Sequence, residues 1–209
     1  MTDIIIVGED AVTREIIKRL LRHSRKDFMI TREEPIRGGE IKNKILKYNL
    51  LNLPVFVLTD LDDSYCPPSL IKEWFGQTAI NPNLLFRIAC DEAESWLVAD
   101  KAGFSKYFGI KEDAIPGLKE KDRRNPENVE LKFPYKPSLF LMRELAVKSN
   151  KKLLAEQLTP RVGAKKGPEY NTAIVPFIKE HWDIEAAVKN SYSLQKAVKR
   201  INEFSPRKV

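Results

Sequence analysis

Through the first hundred positions, short blocks of apolar, often β-branched residues alternate with amphipathic stretches. Residues 4–7 (IIIV) stop at Gly8-Glu9-Asp10. Val12, Ile16, Ile17, Leu20 and Leu21 then recur at the spacing of one helical face. Residues 27–31 (DFMIT) predict a second strand, the stretch REEPIRGGE a loop, and residues 40–50 a helix. Residues 55–59 (VFVLT) predict a third strand, and Pro67-Pro68 open a helix that reaches Trp74. Residues 84–89 (LLFRIA) predict a fourth strand, followed directly by the helical CDEAESWLVAD. Strands that alternate with helices, each strand nearly all apolar, predict a parallel sheet covered on both faces.

The pattern changes after residue 100. Residues 119–137 are polar, broken by prolines, and predict a loop. Four helical stretches follow: SLFLMRELAVKS, NKKLLAEQL, PEYNTAIVPFIKEHW and SLQKAVKRINEF. Between the second and third lies TPRVGAKKGP (159–168), with two glycines and three cations. The expected organisation is an α/β core over residues 1–103 and a basic α-helical C-terminal extension, 104–209, packed on it.

Charge sharpens this division. Residues 1–100 hold 13 Lys and Arg against 16 Asp and Glu, and residues 101–209 hold 23 against 13. An acidic half joined to a basic one predicts a site that gathers carboxylates beside a surface that attracts polyanions; a solvated basic face with no partner is the plain alternative. No apolar run approaches the roughly 20 residues that span a bilayer, so no membrane association is expected. The N-terminus lacks a basic region before its apolar run, and with two cysteines and two lone histidines no zinc spacing exists. A cytoplasmic location follows as the expectation, with His23 and His181 at the surface or at helix ends.

The candidate chemistry is acidic. Ligands of open parallel sheets bind beyond the carboxyl ends of the strands. Glu9 and Asp10 close the first strand, Asp60 and Asp62 the third, and Asp91, Glu92 and Glu94 follow the fourth. Carboxylates this close repel one another unless a cation sits among them. Oxygen ligands with no His or Cys nearby suit Mg2+, Mn2+ or Ca2+, not zinc. Aspartates also end strands as turn formers and caps, and Asp63, followed by Ser64 and two prolines, is expected to do only that.

Two known families have this layout. A receiver domain carries an acidic pair after strand one and its phospho-acceptor aspartate after strand three, as in GEDAVTREIIKRLL and VFVLTDLDD. It also needs a small hydroxyl residue ending strand four and a lysine ending strand five, whereas strand four here runs into acid. More closely, the chain resembles small bacterial Toprim-like (topoisomerase–primase fold) proteins. The resemblance runs almost end to end, through GEDAVTREIIKRLL, VFVLTDLDD, PNLLFRIACDEAESWLVAD, GPEYNTAIVPFI and SLQKAVKRI. The long FRIACDEAESWLVAD segment is its most distinctive part.

The Toprim resemblance implies that Glu9, Asp60 and Asp62 hold Mg2+ (or Mn2+), with Glu94 or Glu92 a further acidic group. Many Toprim proteins read Glu-Gly where this chain reads Gly8-Glu9, and Asp10 could share the role of Glu9. Related OLD-type nucleases imply a Mg2+-dependent nuclease in anti-phage defence, working with an ABC-like ATPase partner subunit. Oligomeric state stays open, a homo-oligomer included. Arg161, Lys165 and Lys166 are the candidate nucleic-acid contacts. Arg37, in the glycine-containing IRGGEIK, is another, and glycines before a helix can cradle phosphate. Tyr65 is expected to pack in its turn, and Trp74, Trp96 and Trp182 in the core. The alternatives are a receiver-like domain phosphorylated on Asp60, and a non-catalytic nucleic-acid-binding subunit with a vestigial metal site.

Overall fold

The computed structural model describes residues 1–36, 39–120 and 128–207. The chain divides into two compact units. The first is Met1–Cys90 together with Lys196–Val209; the second is Asp91–Gln195. The expected boundary at residue 103 therefore falls inside the second unit, and the last part of the expected extension belongs with the sheet.

In the first unit the order is β1 (Thr2–Gly8), α1 (Ala11–His23), β2 (Phe28–Pro35), α2 (Glu40–Asn49), β3 (Val55–Asp60), α3 (Pro67–Phe75) and β4 (Leu84–Ala89). The four strands form one sheet, ordered β2-β1-β3-β4, and every pairing is parallel. Such a sheet is covered by helices on both faces, and its central strands read as unbroken apolar runs for that reason. Ile5 and Val7 of β1, Val55 and Val57 of β3, and Leu84, Phe86 and Ile88 of β4 pack with Ile41 and Ile45 of α2 and Leu70 and Phe75 of α3. Ile4, Ile6, Phe56 and Leu58, equally buried, alternate to the other face. The buried side of α1 (Val12, Ile16, Ile17, Leu20, Leu21) is the one its spacing predicts.

β2 runs four residues further than predicted. Its continuation, Arg32-Glu33-Glu34, is polar because β2 is an edge strand, where charge also discourages pairing with another chain. The chain returns to this unit within α10 (Tyr192–Glu203). Ala197, Ile201 and Phe204 are buried there, and Phe204 stacks on Phe28 with ring centroids 6.5 Å apart. Asn83, at the foot of β4, accepts from the Arg207 backbone N–H at 2.7 Å.

The second unit is helical: α4 (Ala93–Val98), α5 (Lys101–Phe108), α6 (Pro137–Phe140), α7 (Lys152–Leu158), α8 (Tyr170–Pro176), α9 (Ile184–Ala187) and the first turn of α10. Trp96 and Trp182 are core residues, as predicted, and Trp74 packs partly buried against the core of the first unit. Asp100 is buried and caps α5 through Gly103 N–H, while its other oxygen accepts from Asp183 N–H. No helix among the described residues is long and apolar enough to cross a membrane.

Candidate functional site: an acidic edge of the sheet

β1 and β3 are hydrogen-bonded neighbours, with Gly8 opposite Leu58. Glu9 therefore leaves the sheet level with Thr59. The Thr59 hydroxyl, 1 % exposed, donates to Glu9 Oε1 at 3.0 Å. This bond ties a carboxylate on one strand to the residue that precedes Asp60 on the next. Asp60 ends β3 opposite Ala89 of β4. Its side chain alternates to the face opposite that of Thr59. Asp62 follows in the turn with φ of 47°. Aspartate tolerates this left-handed region better than most residues because its short side chain bonds locally.

Asp10 is placed as the N-cap of α1. Its Oδ1 accepts from the Thr13 backbone N–H at 2.8 Å and from the Thr13 hydroxyl at 3.0 Å. Tyr65, expected to pack in its turn, is instead 95 % exposed. Loop residues after a strand point outward unless apolar neighbours cover them, and Asp62, Asp63 and Ser64 offer none.

Among the described residues, no group of three or more His, Cys, Asp and Glu is gathered closely enough to hold a metal ion. The alternation of Thr59 and Asp60 accounts for this: Glu9 goes with Thr59, and Asp60 leaves from the other side of the pleat. A cage of three protein carboxylates is therefore not what these residues form. The donor chemistry still fits a hard cation. Mg2+ is ordinarily held by one or two carboxylates, with water and substrate phosphate completing the shell.

The acids after β4 belong to the second unit and serve it. Asp91 has φ of 67° and pairs with Lys119 at 2.8 Å. Glu92 accepts from Ser138 N–H at the start of α6, 2.8 Å away, with Lys136 at 3.7 Å. Glu94 is buried and accepts from the Tyr170 hydroxyl at 2.8 Å. Lys166 lies 5.0 Å over the Tyr170 ring. The basic loop between α7 and α8 exposes Arg161, Lys165 and Lys166. Gly167 anchors this loop: a Cβ there would come within 2.3 Å of the Leu158 carbonyl oxygen. Arg37 lies outside the described residues.

Sequence reasoning missed Thr59 and Tyr170, the partners that hold Glu9 and Glu94. It also missed a buried network in the second unit. Glu130 accepts from the Ser191 hydroxyl at 2.8 Å and from Ser193 N–H at 2.6 Å, and the Ser193 hydroxyl accepts from the Trp96 indole at 2.8 Å. Burial raises the Glu130 carboxyl above its ordinary value, against the pull of these hydrogen bonds and of the Lys119 charge. A scan against protein-family models, a search of curated proteins and a search of solved structures each found no match.

Proposed function

We propose that the first unit is a Toprim-like hydrolase domain that cleaves phosphodiester bonds of nucleic acid with Mg2+ or Mn2+. The observation that carries this reading is the Thr59–Glu9 hydrogen bond, which fixes the carboxylate that follows β1 at the end of β3, where Asp60 and Asp62 stand. That is the edge at which open parallel sheets bind their ligands. Asp60 and Asp62 would hold the cation, with substrate phosphate oxygens completing its shell; Glu9, on the other side of the pleat, would act from outside that shell. A bound divalent ion supplies charge to offset the crowded phosphate and lowers the pKa of water.

The residues of the chain then have distinct tasks. Glu9, whose Oε1 accepts from the Thr59 hydroxyl, is the candidate to orient a water or accept its proton. Tyr65, exposed five residues past Asp60, offers a ring on which a base can stack. The exposed Arg161, Lys165 and Lys166 are candidates to grip phosphates. Action in phage defence with an ABC-like ATPase subunit is the biological setting that the Toprim resemblance suggests.

The receiver reading has less support. Among the described residues the sheet has no fifth strand to carry a lysine, and β4 is followed by Cys90 and Asp91. The test is incubation of the purified chain with labelled DNA and RNA in Mg2+, in Mn2+ and in EDTA. Metal-dependent cleavage that disappears in Asp60→Ala, with an unchanged circular dichroism spectrum, supports hydrolysis. Salt-sensitive binding with no product in any metal supports the non-catalytic alternative, and labelling of Asp60 by acetyl phosphate supports the receiver.

A further inference from the structure

The second unit carries a groove of about 520 Å³ between α7 and the loop that leads to α8. Sites for small molecules span about 300–1,000 Å³. Leu153, Glu156 and Gln157 line the groove from α7, and their i, i+3, i+4 spacing sets them on one helical face. The loop is fastened to that helix at two points. Glu169 N–H donates to the Gln157 carbonyl at 3.1 Å, and the Gln157 side-chain amide donates to Glu169 Oε2 at 3.0 Å. Pro160 and Pro168, both in the lining, restrict the backbone near either end of the loop. A frame held in this way costs little to order when a ligand enters.

Three charges line the groove: the Glu156 and Glu169 carboxylates and the Arg161 guanidinium. They do not neutralise one another. Among the described residues, the side chains of Glu156 and Arg161 have no hydrogen-bond or ion-pair partner, and that of Glu169 meets only Gln157. Beside them, Leu153 is 66 % exposed and offers apolar surface. The complement of this lining is a molecule with two cationic groups, one carboxylate and a hydrocarbon stem. A guanidinium fork matches a carboxylate by two parallel hydrogen bonds, and a methylene stem can lie along apolar surface while its charged end reaches an acid. A phosphate compound would instead meet two repelling carboxylates. A metal ion would meet the Arg161 charge and only two acids.

We propose that this groove binds a free basic α-amino acid, its carboxylate on Arg161, its two ammonium groups on Glu156 and Glu169, and its stem on Leu153. The site shares only Arg161 with the proposed nucleic-acid contacts. It needs neither a metal nor cleavage, so its failure and that of the hydrolytic reading are separate results.

The test uses the full chain in EDTA, at ionic strength held constant with chloride. L-Lysine is compared with L-norleucine, which lacks the ε-ammonium, with Nα-acetyl-L-lysine, which lacks the α-ammonium, and with cadaverine, which lacks the carboxylate. Inorganic phosphate is titrated as well. Each titration is followed by the backbone amide resonances of Thr159, Arg161 and Glu169 and by the side-chain amide of Gln157. Lysine should shift these signals saturably. It should bind about threefold or more tightly than each compound that lacks one charge, since an ion pair open to solvent contributes modestly.

Glu156→Gln and Arg161→Met lie at exposed positions and should keep the amide spectrum of the parent chain elsewhere. Arg161→Met should bind lysine no more tightly than cadaverine. Glu156→Gln should lose the advantage of lysine over norleucine or over Nα-acetyl-lysine. No saturable shift with lysine, equal affinity for lysine and norleucine or cadaverine, phosphate bound as tightly as lysine, or unchanged preferences in either variant overturns the proposal.

Discussion

At the scale of single residues, the side chains that matter most are those held by a neighbour the sequence does not announce. Glu9, Asp60 and Asp62 stand out by position, because each follows an apolar strand. Thr59 does not, since one threonine in a strand has no pattern. Its buried hydroxyl nevertheless fixes Glu9. Thr59→Val keeps the shape and removes the donor, and should cost about 1 kcal/mol of stability, read from urea unfolding. If the proposed hydrolysis is correct, the same variant should slow cleavage while leaving oligonucleotide binding unchanged.

Glu130 gives a pH signature. Its carboxyl is raised by burial, so between its unfolded and folded values the folded chain holds the extra proton. This residue therefore favours folding at low pH, and its contribution falls as pH rises from the ordinary carboxylate value through the folded one. Glu130→Gln, neutral at every pH, should flatten that part of the stability curve. Urea midpoints of both proteins from pH 4 upward would show it, and a constant difference between them would refute it. Arg87 is visible as the one charge in LLFRIA, but only the structure shows that its Nε is buried without a hydrogen-bond partner.

At the scale of elements, the apolar periodicity located each strand and helix of the sheet unit, because burial on both faces leaves a strong imprint. It did less well where the imprint weakens. β2 extends to Pro35 through charged residues, since an edge strand pairs on one side only. In the second unit, PEYNTAIVPFIKEHW reads as one helix. Instead α8 ends at Pro176 and the chain continues as a wider π-helical turn over Phe177–His181. Proline has no N–H to give the preceding turn, so the regular bonding breaks there. SLFLMRELAVKS is divided likewise, with a π-helical turn at Leu141–Leu145 and a 3-10 turn at Ala146–Lys148. Asp10 belongs to this scale as well, because it bonds the first turn of α1. Asp10→Ala should lower stability by about 1 kcal/mol, measured by urea unfolding, as loss of an N-cap generally does. A chain that cleaves nucleic acid should keep cleaving after this change, in contrast to Asp60→Ala.

At the scale of the whole molecule, the contrast between an acidic and a basic half depends on where the chain is cut. Grouped by compact unit, Lys and Arg outnumber Asp and Glu by 18 to 13 in the first and by 18 to 16 in the second. The basic end of α10 joins the acidic strands, so the unit that bears Asp60 is itself cationic. Linear sequence could not show this, because residues 196–209 are over a hundred positions from the strands they complete. Burying one Ile or Phe side chain is worth about 1.5–3 kcal/mol. Losing Ala197, Ile201 and Phe204 together would thus remove a large share of a typical stability of about 5–15 kcal/mol. A chain ending at Gln195 should therefore lose the cooperative unfolding transition and the protease resistance of residues 1–90. Retention of both would show that α10 is dispensable to the sheet.

The sheet unit's split sequence also sets a timetable during synthesis. Its four strands leave the ribosome early, yet their last covering residues follow more than a hundred positions later. At about 5–20 residues per second, the strands wait on the order of ten seconds with one apolar flank exposed. The inserted unit, contiguous in sequence, can close during that interval. Chaperone capture of nascent chains should accordingly peak after β4 emerges and fall only once residues 196–209 have emerged.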